Sequence, residues 1–253
     1  MKLEDFKKNW DRLGQTDPLW AILGDPEKKG GLWQVNEFFA TGRAEIGLLM
    51  QWVSALGENI GYRKALDFGC GVGRLTQALA EYFDEVFGVD IAPFMIKQAE
   101  KYNLKGERCR FYLNDTENLK IFRDNQFDLI YSSLTMQHIH PQYYKGYFEE
   151  FLRTLSPRGL LIFDLPDEPV SLRARLRQFA MNNTPTLLDV YRKIRFGQTP
   201  TMEVCGISPR EVGRLLREKG FKVVRVDERP AGSLNRIGFA RTWRYCAAKE
   251  NGV

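Results

Sequence analysis

Hydrophobic and polar positions along the chain fall into short apolar runs and helically spaced stretches that alternate from about residue 60 onward. Runs of strand length occupy 65–68, 86–89, 109–113, 127–132 and 160–165. Between the first two, Leu75, Ala78, Leu79, Tyr82 and Phe83 recur at helical spacing and give one face to pack on a sheet. After the second, Pro93 suits the first turn of a helix continued by Met95, Ile96 and Ala99. A longer helix, from about Gln142 to Leu155, carries Tyr144, Tyr147, Phe148, Phe151 and Leu152 on one apolar face, and Ser156-Pro157-Arg158-Gly159 turns it into the fifth strand. Near the end, Ser208-Pro209-Arg210-Glu211 forms a capping box, Val212, Leu215 and Leu216 follow, and Gly220 closes that helix. Two last strands, 221–226 and 242–247, complete the set.

Strands alternating with helices predict an α/β fold. The expectation is a doubly wound, seven-stranded, mostly parallel sheet with a reversed hairpin at one edge. Two regions fall outside the alternation. Residues 1–60 read as an N-terminal helical extension packed on the core, anchored by Trp10, Trp20, Trp33 and Trp52 and turned at Asp17-Pro18 and Asp25-Pro26. Its last helix is predicted from about Arg43, on the spacing of Ile46, Leu49, Met50 and Val53, and Phe38-Phe39-Ala40-Thr41-Gly42 before it reads as a lid. Residues 166–207, broken by Pro166, Pro169, Pro185 and Pro200, read as an insertion within the domain spanning 61–253, able to cover a substrate.

The chemistry concentrates in Ala65–Asp90, ALDFGCGVGRLTQALAEYFDEVFGVD. Strand, glycine turn, helix, strand and terminal acid make a nucleoside-binding βαβ unit, with Asp90 placed to meet ribose hydroxyls. The strict dinucleotide pattern fails, because its third glycine place is Arg74. Asp67, ending the first strand, is an awkward neighbour for a pyrophosphate and suits a cationic ligand. These features disfavour a nicotinamide-dependent dehydrogenase.

The run Asp67-x-Gly69-x-Gly71-x-Gly73 resembles motif I of the class I S-adenosylmethionine-dependent methyltransferases, here of small-molecule type. Phe127-Asp128-Leu129-Ile130 is similar to the fourth strand of that family, and Gln137-His138-Ile139 to the segment after it. Residues 43–165 carry most of the likeness and 208–249 the rest; the turn 156–159 matches the family's Lys-Pro-Gly-Gly only loosely. The resemblance implies S-adenosylmethionine as cofactor and a site drawn from Arg43 (methionine carboxylate), Asp67, Gly69, Cys70, Gly71, Asp90 (ribose), Ile91 (adenosine), Asn114, Asp115 (adenine amine) and Ser133. It implies methyl transfer to a small acceptor, a hydroxyl of a sugar or metabolite being the expected case, with His138 or His140 as base and His138 the nearer to the methyl.

At 253 residues, with 43% hydrophobic and 27% charged, the composition is that of a globular α/β protein. No apolar window is long enough for a membrane span, and the N-terminus lacks the apolar core of a signal peptide. Four scattered cysteines and two histidines argue against a metal site and a disulfide scaffold, and favour a cytoplasmic setting. The net charge is +5, and the stretch 170–200 alone holds six bases (Arg173, Arg175, Arg177, Arg192, Lys193, Arg195) against Asp189. Such a run is either a solvated face or a surface for an anionic acceptor, a membrane or nucleic acid.

Nothing else signals nucleic acid: the place after strand four reads Ser132-Ser133-Leu134-Thr135, without the Asn/Asp-Pro-Pro-Tyr/Phe of amino-directed nucleic-acid enzymes. An RNA or protein methyltransferase and a non-catalytic S-adenosylmethionine-binding protein stay as alternatives, and oligomeric state is not encoded in any motif.

Overall fold

The structure is a computed structural model and describes residues 3–183, 202–230 and 238–250. Seven strands form one sheet: β1 (Lys64–Phe68), β2 (Glu85–Asp90), β3 (Cys109–Leu113), β4 (Phe127–Ser132), β5 (Leu155–Pro166), β6 (Phe221–Pro230) and β7 (Arg241–Lys249). Their order is β3-β2-β1-β4-β5-β7-β6. The first five run parallel, and β7 runs antiparallel to both β5 and β6. The reversed strand of the closing hairpin therefore sits one place inside the edge, and β6 is the edge itself.

Strand order turns back between β1 and β4, each bonded to the other. From β1 the chain winds outward to β2 and β3; from β4 it winds the opposite way. The diverging connections leave a crevice outside the carboxyl ends of these strands, where open α/β sheets hold ligands. The central strands are buried on both faces, as near-continuous apolar runs require. On one face Phe68, Phe127, Phe148, Phe151 and Phe163 interlock; on the other, Ile46, Leu49, Leu75, Leu79 and Phe83 do. Helices α4 (Arg74–Leu79), α5 (Pro93–Tyr102), α6 (Tyr144–Thr154) and α8 (Pro209–Glu218) supply these faces together with α3 (Val35–Ser54). Ser208 caps α8 as expected, its hydroxyl accepting from the Glu211 amide.

Three expectations need correcting. Helix α3 begins at Val35, so Phe38–Arg43 is helix, and Phe38 is fully buried against Trp33 and Phe39 rather than part of a lid. Gly42 is there because α3 crosses α4 at that point: a Cβ would stand 2.5 Å from the Arg74 carbonyl oxygen. The turn 156–159 is absorbed into β5 as a register shift against β4. Between β5 and α8 the chain forms α7 (Leu172–Asn183) and a run at 202–207; residues 184–201 of the expected insertion lie outside the described residues.

Residues before α3 form two further helices, α1 (Leu3–Thr16) and α2 (Pro18–Ile22), with Asp17 capping α2 through a bond from the Trp20 amide. Leu13, Leu19, Phe38, Val72 and Met95 bind them to the sheet's carboxyl end, over the crevice. The four cysteines, all buried, form no disulfide.

Candidate functional site

The glycine turn between β1 and α4 is the floor of the site. Gly69, Gly71 and Gly73 all have positive φ, at 82°, 53° and 82°. Neighbouring chain presses on all three, and a Cβ on Gly73 would lie 2.8 Å from Phe111 Cε1. A Cβ on Gly69 would lie 2.1 Å from Thr135 Oγ1, and one on Gly71 would lie 2.5 Å from Ile22 Cδ1. The turn needs glycine both for its dihedrals and for the closeness of its neighbours.

The Gly69 and Cys70 amides donate to the Val89 carbonyl, which ties the turn to the end of β2. Asp90 then takes the Gly71 amide at 2.9 Å on one oxygen and the Ala92 amide at 2.9 Å on the other. Each oxygen keeps a lone pair for a further donor. Burial pushes the Asp90 carboxyl upward, while these amides pull against it.

One cavity of about 1110 Å³ opens above this floor. Gly69, Gly71, Asp90, Ile91, Asn114 and Ser133 line it. Both histidines, His138 and His140, line it too. The residues predicted from four separate elements thus meet at one place.

Four predicted residues do not face it. Asp67 lies under the turn, fully buried and accepting from the Thr76 hydroxyl at 2.7 Å; burial drives its carboxyl up to about 7. Cys70 is buried beside Gly88. Asp115 turns outward to Lys7 of α1, at 2.7 Å, and that bond lowers its carboxyl. Arg43 is exposed on α3. Position 43 is on the wrong side of the helix; two residues later, Glu45 lines the cavity.

Glu45 opens a polar network that sequence reading did not find. Its Oε2 takes Arg74 at 2.8 Å, and its Oε1 takes the hydroxyls of Tyr131 at 2.9 Å and Ser133 at 2.8 Å. Burial opposes the Glu45 charge, yet Arg74 and the two hydroxyls bring its carboxyl below the ordinary value. Tyr131 in turn receives Arg244 at 3.0 Å, and Arg244 forks onto Asp164 with two bonds of 2.9 Å. Arg229 reaches Asp164 at 3.4 Å. Asp164, Arg229, Arg244 and Thr242 all line the cavity, and the buried Thr242 hydroxyl has no partner among the described residues. The available signal was a charge inside an otherwise apolar strand, Asp164 in 160–165 and Arg244 in 242–247, because a buried charge persists only when paired.

The loop after β4 closes the cavity's other side. Leu134 there has φ of 61°, a left-handed conformation that a branched side chain rarely adopts and that clusters at functional sites. Next to it, the Trp10 ring of α1 meets His138 edge to face, with centroids 5.0 Å apart. His138 Nδ1 bonds the carbonyl of Glu203, so it carries the proton, and Nε2 takes the Gln137 side chain at 3.1 Å. Burial lowers the imidazole to about 4, against the pull of the Glu203 carbonyl. His140 Nδ1 accepts the Gln142 amide at 3.4 Å and caps the turn 141–143, the role its position before Pro141 suggests. Among the described residues there is no cluster of side chains able to hold a metal ion.

The turn and strands that build this site correspond to a known domain. Residues 66–163 match a family model described as a methyltransferase domain. Phosphoethanolamine N-methyltransferase 3 of Arabidopsis thaliana is 29% identical over 209 residues, 80% of this chain and 38% of that protein. A ubiquinone biosynthesis O-methyltransferase of Bordetella avium is 27% identical over 108 residues, 42% of this chain and 45% of that one. The chain thus spans less than half the length of these curated relatives.

Among solved structures, magnesium protoporphyrin IX methyltransferase from Synechocystis, with bound SAH, superposes with a TM-score of 0.63 at 18% identity, covering 98% of this chain and 99% of its own. A SAM-dependent methyltransferase from Leishmania major gives 0.65 at 16% identity, covering 97% and 82%. At these identities the structures establish the fold alone. Residues 66–163 are thus similar in sequence to a methyltransferase domain, and the chain shares the fold of these solved S-adenosylmethionine-dependent enzymes.

Proposed function

We propose that the protein transfers a methyl group from S-adenosylmethionine to a small-molecule acceptor held in the same cavity. The observation that carries this reading is Asp90, a carboxylate fixed by two backbone amides at the lip of a turn with no Cβ at Gly69 or Gly71. That arrangement fits a nucleoside: two free lone pairs for a ribose, Ile91 for the flat face of a base, and bare backbone for close approach. When bound, the cofactor supplies an activated methyl on a good leaving group, so alignment is the main demand on the protein. In this reading the cavity-lining Gly69, Ser133 and Leu134 hold the methionine end, and Glu45, Arg244 and Thr242, which line the same cavity, orient an acceptor beyond it. The cavity exceeds the volume of a usual single-ligand site, which supports two occupants.

His138 bears on the acceptor atom. It is neutral above its value of about 4, its Nδ1 proton is committed to Glu203, and its lone pair is engaged by Gln137. An imidazole so placed is a weak base and a good positioning group. This favours an acceptor that is nucleophilic without a base, as a neutral amine is, releasing its proton after the methyl is transferred. A hydroxyl, which the sequence reading favours, must lose its proton as the bond forms. The N-methyltransferase among the relatives is consistent with an amine, and the O-methyltransferase among them keeps the hydroxyl a live second reading.

A screen of amine and hydroxyl acceptors with labelled methyl donor tests this. The expected result is labelling of an amine, with His138→Ala lowering kcat by less than about tenfold. A fall of roughly 10²–10⁴-fold, with loss of the acidic limb of the pH profile, would instead make His138 a general base acting on a hydroxyl.

A further inference from the structure

The side-chain wall of the cavity carries more hydrogen-bond donors than it uses. Asp164 of β5, Arg244 and Thr242 of β7 and Arg229 of β6 all line it. Strand register puts the four on one face of the sheet. Asp164 pairs with Arg244, and Arg229 pairs with Thr242, two residues away along β7. Cross-strand partners and i, i+2 residues share a side, so these side chains rise together.

Arg244 is the fixed part of the group. Its guanidinium lies 5.7 Å from the Tyr131 ring centroid and 5.9 Å from that of Trp52. Its Nε and Nη2 are committed to Asp164 and to the Tyr131 hydroxyl, and its Nη1 has no partner among the described residues. Arg229 is the surplus charge. Its Nη1 reaches Asp164 Oδ2 at 3.4 Å, an oxygen that Arg244 already takes at 2.9 Å. One carboxylate thus faces two guanidiniums, which leaves one positive charge over. Glu45, the other acid of this wall, is balanced by Arg74. Asp25 and Asp90, acids elsewhere in the lining, accept backbone amides. The Thr242 hydroxyl, buried and without a partner among the described residues, completes the set.

We propose that the methyl acceptor carries an anionic oxygen group, a phosphate or a carboxylate, held by Arg229, the Nη1 edge of Arg244 and the Thr242 hydroxyl. Two guanidinium forks and a hydroxyl are the donors such a group takes, and forks match paired oxygens better than a point charge does. A neutral acceptor would leave the surplus charge of Arg229 unanswered. That the anion belongs to the acceptor rests on the methyl-transfer reading above; the anion site itself does not.

Place in the sheet separates this group from the nucleoside end. Strand β7 lies four places from β2, which ends in Asp90, so at about 4.8 Å per strand the two stand roughly 19 Å apart. A cofactor seated on Asp90 leaves the arginine end to the second occupant. An acceptor anchored there by its anion has its reacting end turned back toward the cofactor, and the anchor supplies binding energy for alignment.

Titration calorimetry on the full chain, with and without S-adenosylmethionine, tests the site. The probes are phenyl phosphate, benzoate, benzyl alcohol and benzylamine, which share a ring and differ in the head group. The expected result is that one of the two anions binds at least about tenfold more tightly than the alcohol and the amine. Which anion binds tells phosphate from carboxylate. Arg229→Gln lowers its affinity about tenfold, and Arg229→Lys only about threefold, because the charge stays while the fork is lost. Thr242→Val lowers it about threefold. All three variants keep S-adenosylmethionine affinity within about twofold, which shows that they fold and that the arginines do not hold the cofactor's own carboxylate. Equal affinity for all four probes, no binding of either anion, variants with wild-type anion affinity, or a parallel loss of cofactor affinity overturns the proposal. Failure of both anions in a protein that binds S-adenosylmethionine leaves the methyl-transfer reading standing. Anion binding in a protein without affinity for S-adenosylmethionine keeps the anion site and removes that reading.

Discussion

The cavity has two walls built in different ways. The proposed cofactor wall is backbone: glycine dihedrals, amides donating to Val89 and Asp90, and one carboxylate, all within residues 69–92. The opposite wall is side chains: Glu45 from α3, Asp164 from β5 and Arg244 from β7, joined by charge-assisted bonds through the buried Tyr131 hydroxyl of β4. A backbone wall changes little when side chains drift, which suits a constant cofactor. A side-chain wall can be altered one residue at a time, which suits a variable acceptor. The two should respond differently to substitution.

The largest effect expected is on the side-chain wall. Arg244→Ala leaves Asp164 and the Tyr131 hydroxyl without their main partner in a buried setting. Loss of a buried ion-pair partner costs about 3–5 kcal/mol, and the low end is expected because Arg229 stays 3.4 Å from Asp164. Denaturant melts should show that loss, while cofactor affinity falls less than about threefold. An equal collapse of cofactor binding would mean that the two walls are one unit.

Beneath the cofactor wall, Asp67 makes a pH-dependent prediction. Its carboxyl sits at about 7 in the folded chain, from an ordinary 3.8, because burial disfavours the charge. The native state therefore holds an extra proton between those values, so this group makes the protein less stable as pH rises through the window. Asp67→Asn keeps an acceptor for Thr76 and removes the charge. It should stabilise the unliganded protein by about 1–3 kcal/mol above pH 7, with the gain vanishing near pH 4. A gain independent of pH would show that Asp67 is charged throughout.

The difference between the walls also explains what the sequence disclosed. The glycine turn and Asp90 are close in the chain, and their spacing alone carries the geometry. The seven strands were legible for the same reason: each apolar run is local, and alternation with helices dictates a mostly parallel sheet. Glu45, Asp164 and Arg244 are far apart in sequence, and only the strand order β4-β5-β7 brings the last two beside Tyr131.

The mistaken lid has a different cause. Thr41-Gly42 looked like a break, yet the glycine serves the crossing with Arg74, and Phe38, Gly42 and Ile46 continue the i, i+4 stripe through it. Arg43 and Asp115 lie off the cavity lining because family position places a residue on an element, and the element's rotation decides which way it faces.

The smallest effect concerns the roof. Lys7 of α1 bonds Asp115 at 2.7 Å on the surface, with both side chains partly exposed. Lys7→Ala should cost at most about 1 kcal/mol of stability. If α1 must move for ligands to enter, the same change should speed cofactor association in stopped flow with little change in its equilibrium affinity. An unchanged association rate would leave the pair as surface decoration.

The central claim is that the backbone wall, with Asp90, holds S-adenosylmethionine. Titration calorimetry with S-adenosylmethionine and with NAD, on wild type and Asp90→Ala, tests it most directly. The account predicts binding of S-adenosylmethionine alone, and a loss in the variant of at least about tenfold, since each charge-assisted bond lost is worth about 1.5–3 kcal/mol. Affinity for NAD without affinity for S-adenosylmethionine, or an Asp90→Ala variant that binds as wild type does, would contradict it.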